Sequence, residues 1–244
     1  MSEADVIART PEPRTVASLT TDLRALGIEP GITLCVHSSL SALGWVAGGA
    51  AAPIHALLDT LGPDGTLVMP AHSGDYSDPA RWRNPPVPPA WIETIRSERP
   101  PFDPRRTQTR GMGAIAELFR TWPDVLRSDH PLASFAAHGP NADQITAGHL
   151  DELGERSPLA RLYDLDAHVL LLGVGHDRNT SLHLAETRCG IVEMDSDRFP
   201  ELMAGFAGER AGLVGSAETR LMRQRAAVDF AADRLRKNAQ IANP

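Results

Sequence analysis

AHVLLLGVGHDRNTSLHLAE, the stretch from Ala167 to Glu186, decides how the rest of the chain is read. Val169 to Leu172 is a short apolar run of the kind that forms a fully buried strand, and Gly173 and Gly175 break it. Asn179 or Thr180 is a suitable N-cap, after which SLHLAE starts a helix. His183 and Glu186 stand three apart and so share a helical face. The pattern predicts an imidazole and a carboxylate just past the carboxyl end of a buried strand, where open α/β sheets usually carry their chemistry.

Working outward, Val16 to Leu26 has helical apolar spacing closed by Gly27, and Ile32 to Val36 is β-prone and runs into His37-Ser38-Ser39. Ala50 to Leu61 reads as a helix, Gly65 to Met69 as a second strand, Met112 to Arg120 as a short helix and Ser134 to Ala137 as a strand. Leu221, Ala227, Val228, Phe230, Ala231 and Leu235 predict one amphipathic helix over Glu218 to Arg236. Strands alternating with helices indicate an α/β sheet. Residues 1–13 read as a loose, Pro-punctuated tail and 14–244 as a single domain. Tyr76 to Arg110, rich in Pro and Arg, is long for a connection and reads as a functional loop.

The bulk numbers exclude several classes. A chain of 244 residues can bury a substantial core. No apolar run is long enough to span a bilayer, and the N-terminus lacks a basic-then-apolar export signal. Cys35 and Cys189 are too few for a disulfide framework, so a reducing cytoplasm is the expected location. A net charge of −7, with Lys237 the sole lysine, argues against nucleic acid or a membrane surface and favours a cationic small molecule.

Several constellations are candidates for chemistry. His183 with Glu186 suits a general base whose tautomer is held by a carboxylate. His176, Asp177, His183 and Glu186 also form a conceivable metal-ligand set for a hydrolase, without the tight spacing of known zinc motifs. His37-Ser38-Ser39-Leu40-Ser41, continuing to Gly44, follows a strand and precedes a helix; its N–H groups suit a phosphate or the amide-rich arm of a cofactor. QTRGMG fits a pyrophosphate-cradling pattern of one acetyltransferase superfamily, but a Pro/Arg loop rather than a strand precedes it. Only Arg110 is retained from it, as a phosphate contact. Asp75, Asp78, Glu155, Glu193 and Asp195, gathered in a cleft, would suit a polycationic amine.

Beyond these local readings, VHSSLSALGWVAGG, GTLVMPAHS, NPPVPPAW, PPFDPRRTQTRGMG, RSDHPLASFAAHGP, GERSPLARL, LLLGVGHDRNTSLHLAE and RLMRQRAAVDFAADRLRKN occur in one order along the chain. In that order, from about Val16 to Lys237, the sequence resembles the aminoglycoside 3-N-acetyltransferase family. The resemblance implies that family's fold, a single α/β domain with a central mixed sheet flanked by helices. It implies acetyl-CoA as co-substrate, no metal, a small cationic amino-sugar as acceptor, and a monomer or homodimer. It further implies that His183 is the catalytic histidine, that HSSLSALG lies along coenzyme A, and that Glu155, Glu186 and the acidic loop near Asp195 are in or near the active site. ETRCGIVEMDSDRFPEL departs from the family, passing almost directly from the helix to the acidic loop. That departure implies a truncated acceptor pocket and leaves a non-catalytic ligand-binding homologue as an alternative, beside the metal-dependent hydrolase that His176, Asp177, His183 and Glu186 would make.

Overall fold

The computed structural model describes residues 2–191 and 195–242. Seven strands form one mixed sheet in the order β3-β4-β2-β1-β5-β7-β6. They are β1 (Thr33–Ser38), β2 (Thr66–Pro70), β3 (Leu126–Arg127), β4 (Phe135–His138), β5 (His168–Leu172), β6 (Glu209–Val214) and β7 (Ala217–Arg223). The centre is parallel: β1 pairs with β2 through Thr33–Thr66 and with β5 through Cys35–Val169. β4 and β7 flank it antiparallel. Strands covered on both faces need apolar residues on both, which is why TLCVHS, TLVMP and HVLLL read as nearly unbroken runs.

Alternation along these strands sorts their side chains into two cores. Leu34, Val36, Leu67, Met69, Leu170 and Leu172 join a core containing residues of α2 (Val16–Ala25), α3 (Ala51–Leu61) and α5 (Gly113–Phe119). Cys35, Val68, Val169 and Leu171 enter the opposite core. There they meet α6 (Ala142–Thr146), α7 (Pro158–Asp164), α8 (Leu182–Arg188), α9 (Phe199–Leu202) and α10 (Gln224–Ala242). Capping marks where helices begin: Thr15 and Ser18 form a reciprocal capping box on α2, and Ser157 caps α7 ahead of Pro158. A further short helix, α4 (Ile92–Glu98), lies in the long loop. Among the described residues no helix is long and apolar enough to cross a membrane.

Three features differ from the sequence reading. The stretch taken as a loose tail contains α1 (Glu3–Arg9), with a Ser2/Asp5 capping box. Val6 is buried, the Trp45 indole N–H donates to Glu3 at 3.2 Å, and the Trp45 backbone N–H donates to Thr10 Oγ1 at 2.8 Å. Tertiary partners therefore hold a helix too short to persist alone. The predicted helix from Glu218 is also divided, since Ala217–Arg223 is strand β7 and α10 starts only at Gln224. β7 forms a hairpin with β6, Val214 opposite Ala217, across the two-residue turn Gly215-Ser216 with Gly215 at φ +60°. Finally, the N-cap of α8 is Ser181 rather than Asn179 or Thr180, and its hydroxyl accepts from Gln224 Nε2 instead of capping.

Candidate active site

Because β1, β2 and β5 run parallel, their carboxyl ends open on one edge, and the segments leaving them wall a cavity of about 750 Å³. Its lining includes His37, Ser38, Ser39, Leu40, Ser41 and Gly44 from the β1 exit, and Pro70 and His72 from the β2 exit. Gly111 to Ala114 contribute from the start of α5, and Asn179, Thr180 and His183 from the β5–α8 connection. Gly173 makes the approach of these segments possible. Its φ is +70°, and a Cβ there would lie 2.5 Å from that of Ala42.

His183 lines the cavity, and its Nδ1 lies 2.6 Å from Glu186 Oε2. The Glu186 side chain is 4 % exposed against 23 % for His183, so the carboxylate is held inside the fold while the ring reaches the cavity. A carboxylate on Nδ1 fixes the proton there and leaves the Nε2 lone pair available to accept another. The Phe199 ring stands edge-on to the His183 ring, centroids 5.0 Å apart, and lines the cavity with Leu153 and Val174. The dyad predicted from a spacing of three is thus assembled beside an apolar wall.

The cofactor candidates divide. His37, Ser38, Ser39, Leu40, Ser41 and Gly44 all face the cavity, and the Ser39 and Ser41 hydroxyls lie 3.4 Å apart. These small and hydroxyl-bearing residues fit an extended chain of amides better than they fit a compact anion. Arg110 does not line the cavity; its guanidinium pairs with Asp75 beside Trp82. Among the described residues, the acidic candidates Asp75, Asp78, Glu155 and Asp195 do not line the cavity either. Glu155 pairs with Arg188 at 2.7 Å, and the Arg188 guanidinium lies over the Tyr163 ring. Asp195 spends its carboxylate on the N–H of Asp197 at the head of a 3-10 turn, although the adjacent Ser196 does face the cavity. Glu193 lies outside the described residues.

The hydrolase set is likewise dispersed. His176 Nε2 lies 3.1 Å from Glu209 on β6, Asp177 pairs with Arg178, and His183 is engaged by Glu186. Among the described residues no group of three or more His, Cys, Asp or Glu side chains is placed to hold a metal ion.

Other lining residues escaped the sequence reading. Glu3 and Val6 of α1, with Trp45, close the side of the cavity next to Ser41. His72 belongs to GTLVMPAHS, two residues past a buried strand, and nothing in that stretch singles it out for chemistry. Burial pushes the His37 imidazole down to about 4, helped by nearby His183. His72 is driven to about 3, mainly by burial and then by the His37 and His183 imidazoles. Both rings are therefore neutral near pH 7.

Comparison with known proteins turns this arrangement into a family assignment. The family model for aminoglycoside 3-N-acetyltransferase matches residues 35–193, well over half of the chain. The chain belongs to the aminoglycoside 3-N-acetyltransferase family. The SPbeta prophage-derived aminoglycoside N(3')-acetyltransferase-like protein YokD of Bacillus subtilis (strain 168) is 43% identical over 93% of this chain and 94% of its own length. The crystal structure of YokD superposes with a TM-score of 0.93 at 41% identity, covering 97% of this chain and 98% of that one. Aminoglycoside N(3)-acetyltransferase VIII of Streptomyces fradiae is 42% identical over 77% of this chain and 66% of its own. The structure of AAC-IIIb in binary complex with CoASH superposes with a TM-score of 0.81 at 32% identity, covering 93% of this chain and 98% of that one. The mixed α/β sheet is that of the family.

Proposed function

We propose that this protein transfers an acetyl group from acetyl-CoA to a primary amine, the 3-amino group of an aminoglycoside or a related amino-sugar, with His183 as general base. The observation that carries the reading is the 2.6 Å contact between His183 Nδ1 and Glu186 on the wall of the cavity. Membership of the family and the CoASH complex of AAC-IIIb support the choice of co-substrate. The chain's own residues fit such an arm. Ser38, Ser39, Ser41 and Gly44 offer hydroxyls and backbone along one wall, and Gly111 and Gly113, at φ +75° and +82°, keep side chains out of the facing wall. When bound there, acetyl-CoA supplies an activated thioester.

The remaining chemistry belongs to the protein. The amine attacks in its neutral form, its ammonium proton having gone to solvent, and the nitrogen sheds a second proton as the C–N bond forms. His183 Nε2 receives a proton while Glu186 stabilises the resulting imidazolium, a contribution of about 10²–10⁴-fold in such sites. Both substrates are held in one cavity, so attack is direct and proximity supplies much of the remaining rate. No nucleophile of the protein is needed; Cys35, whose thiol burial pushes up to about 12, is unsuited to that role. The two free cysteines fit a reducing cytoplasm as the place of action.

The test is release of coenzyme A thiol from acetyl-CoA across aminoglycosides and simpler amines. Saturable, amine-dependent release with N-acetylated product is expected. Binding of acetyl-CoA without release in the presence of any amine would instead mark a ligand-binding homologue.

A further inference from the structure

Two imidazoles of the cavity, those of His37 and His72, have no part in the base dyad. His72 follows β2, and the backbone on either side of it is pinned. Arg127 donates from one guanidinium nitrogen to the Ala71 carbonyl at 2.6 Å and to Ser73 Oγ at 2.7 Å, and the His72 carbonyl accepts from the Arg110 N–H at 2.9 Å. The His72 ring rests edge-on against Phe135, centroids 5.4 Å apart, and lines the cavity. Its Nε2 is buried and has no hydrogen-bond partner. Buried N–H groups are rarely left unpaired, whereas an unpaired acceptor is tolerated more often. The tautomer that avoids an orphaned donor leaves a bare lone pair on Nε2 and carries the proton on Nδ1.

We propose that His72 is a second catalytic residue, a neutral imidazole whose Nδ1–H donates a hydrogen bond to the acetyl carbonyl oxygen of the thioester. The inference rests on acetyl transfer to an amine being the reaction. In that reaction the amine nitrogen forms a bond to the carbonyl carbon, and the carbonyl π pair moves onto oxygen. His183 takes the proton from nitrogen. The oxygen pair then re-forms the C=O bond, the C–S bond breaks, and the His183 proton passes to the departing thiolate. Negative charge rises on one oxygen and falls again, and a fixed donor aimed at that atom lowers the barrier. Burial, with His37 and His183 close by, keeps the ring from protonating near pH 7, so it acts as a donor and moves no proton. His37 is less suited, because its Nε2 is turned toward Cys35 Sγ, 4.0 Å away, and the residue is only 6 % exposed.

The experiment compares His72→Phe, which keeps a ring against Phe135 but has no donor, with His72→Asn, whose amide restores one near Nδ1. His72→Phe is expected to lose about 100-fold in kcat, as for removal of one such donor, with acetyl-CoA affinity within about threefold of wild type. His72→Asn should recover about tenfold of that loss, and both variants should keep the acidic limb of the pH–rate profile where wild type has it. A kcat for His72→Phe near wild type overturns the proposal, as does a loss confined to acetyl-CoA affinity or the absence of any recovery in His72→Asn. Should His72→Phe not fold, the carbonyl stretch of isotope-labelled acetyl-CoA on the wild-type protein decides. A stretch lowered by hydrogen bonding supports the assignment, and one at its aprotic-solvent position overturns it. His183→Ala, assayed beside these, separates the two claims: full activity there removes the base but leaves the His72 result to stand by itself.

Discussion

At the scale of single residues, the site juxtaposes imidazoles in different settings. His183 has a buried carboxylate on one nitrogen, whereas His37 and His72 are held in surroundings that disfavour charge. This difference has a thermodynamic consequence. The folded-state values of about 4 and about 3 lie below the 6.5 of an unfolded histidine, so between those limits the unfolded chain binds protons that the folded chain does not. Stability from these residues is therefore complete above about pH 6.5 and is lost as the pH falls toward about 4 for His37 and about 3 for His72. Urea unfolding of His37→Gln between pH 4.5 and 6 should show a slope of stability against pH shallower by up to about 1.4 kcal/mol per pH unit. An unchanged slope would mean that His37 titrates normally in the folded protein.

At the scale of elements, α1 is a wall of the cavity, with Val6 and Glu3 on its lining and Trp45 tied to Glu3. Deleting residues 2–9 should weaken acetyl-CoA binding by about tenfold, roughly the loss of one well-made apolar contact, while the melting temperature falls only slightly. Calorimetric titration checks it, and unaltered affinity would show that α1 merely covers the surface. The sequence did not reveal this helix, because a seven-residue helix is held by tertiary partners, and Trp45, which bonds both Glu3 and Thr10, lies far along the chain. The β6–β7 hairpin was missed for a different reason. Leu221 stands seven residues before Val228 and so continues the helical stripe of α10, although in the strand it and Met222 enter opposite cores, and only the Gly215-Ser216 turn argued otherwise. What was legible was the three central strands, since strands buried on both faces cannot hide their composition. His183 and Glu186 were legible because one helix carries both. His72 was not, since its neighbours in the cavity come from strands that only the folded sheet aligns.

At the scale of the whole molecule, the net charge of −7 reaches the cavity through Glu3 and Asp177 rather than through Asp75 or Glu155. Asp75 and Glu155 are neutralised by Arg110 and Arg188, and exposed pairs of this kind contribute little to any energy balance. Glu155→Gln should accordingly leave the KM for an amine acceptor within about twofold of wild type. A rise of tenfold or more would place Glu155 against the substrate. What the fold does supply is alignment: three parallel strands deliver a hydroxyl-rich loop, a buried imidazole and a histidine–glutamate dyad to one opening. The measurement that bears most directly on this account is steady-state turnover of His183→Ala, taken together with its affinity for acetyl-CoA. The account predicts a fall in kcat of at least about 100-fold with acetyl-CoA affinity retained, and turnover close to wild type in that variant would contradict it.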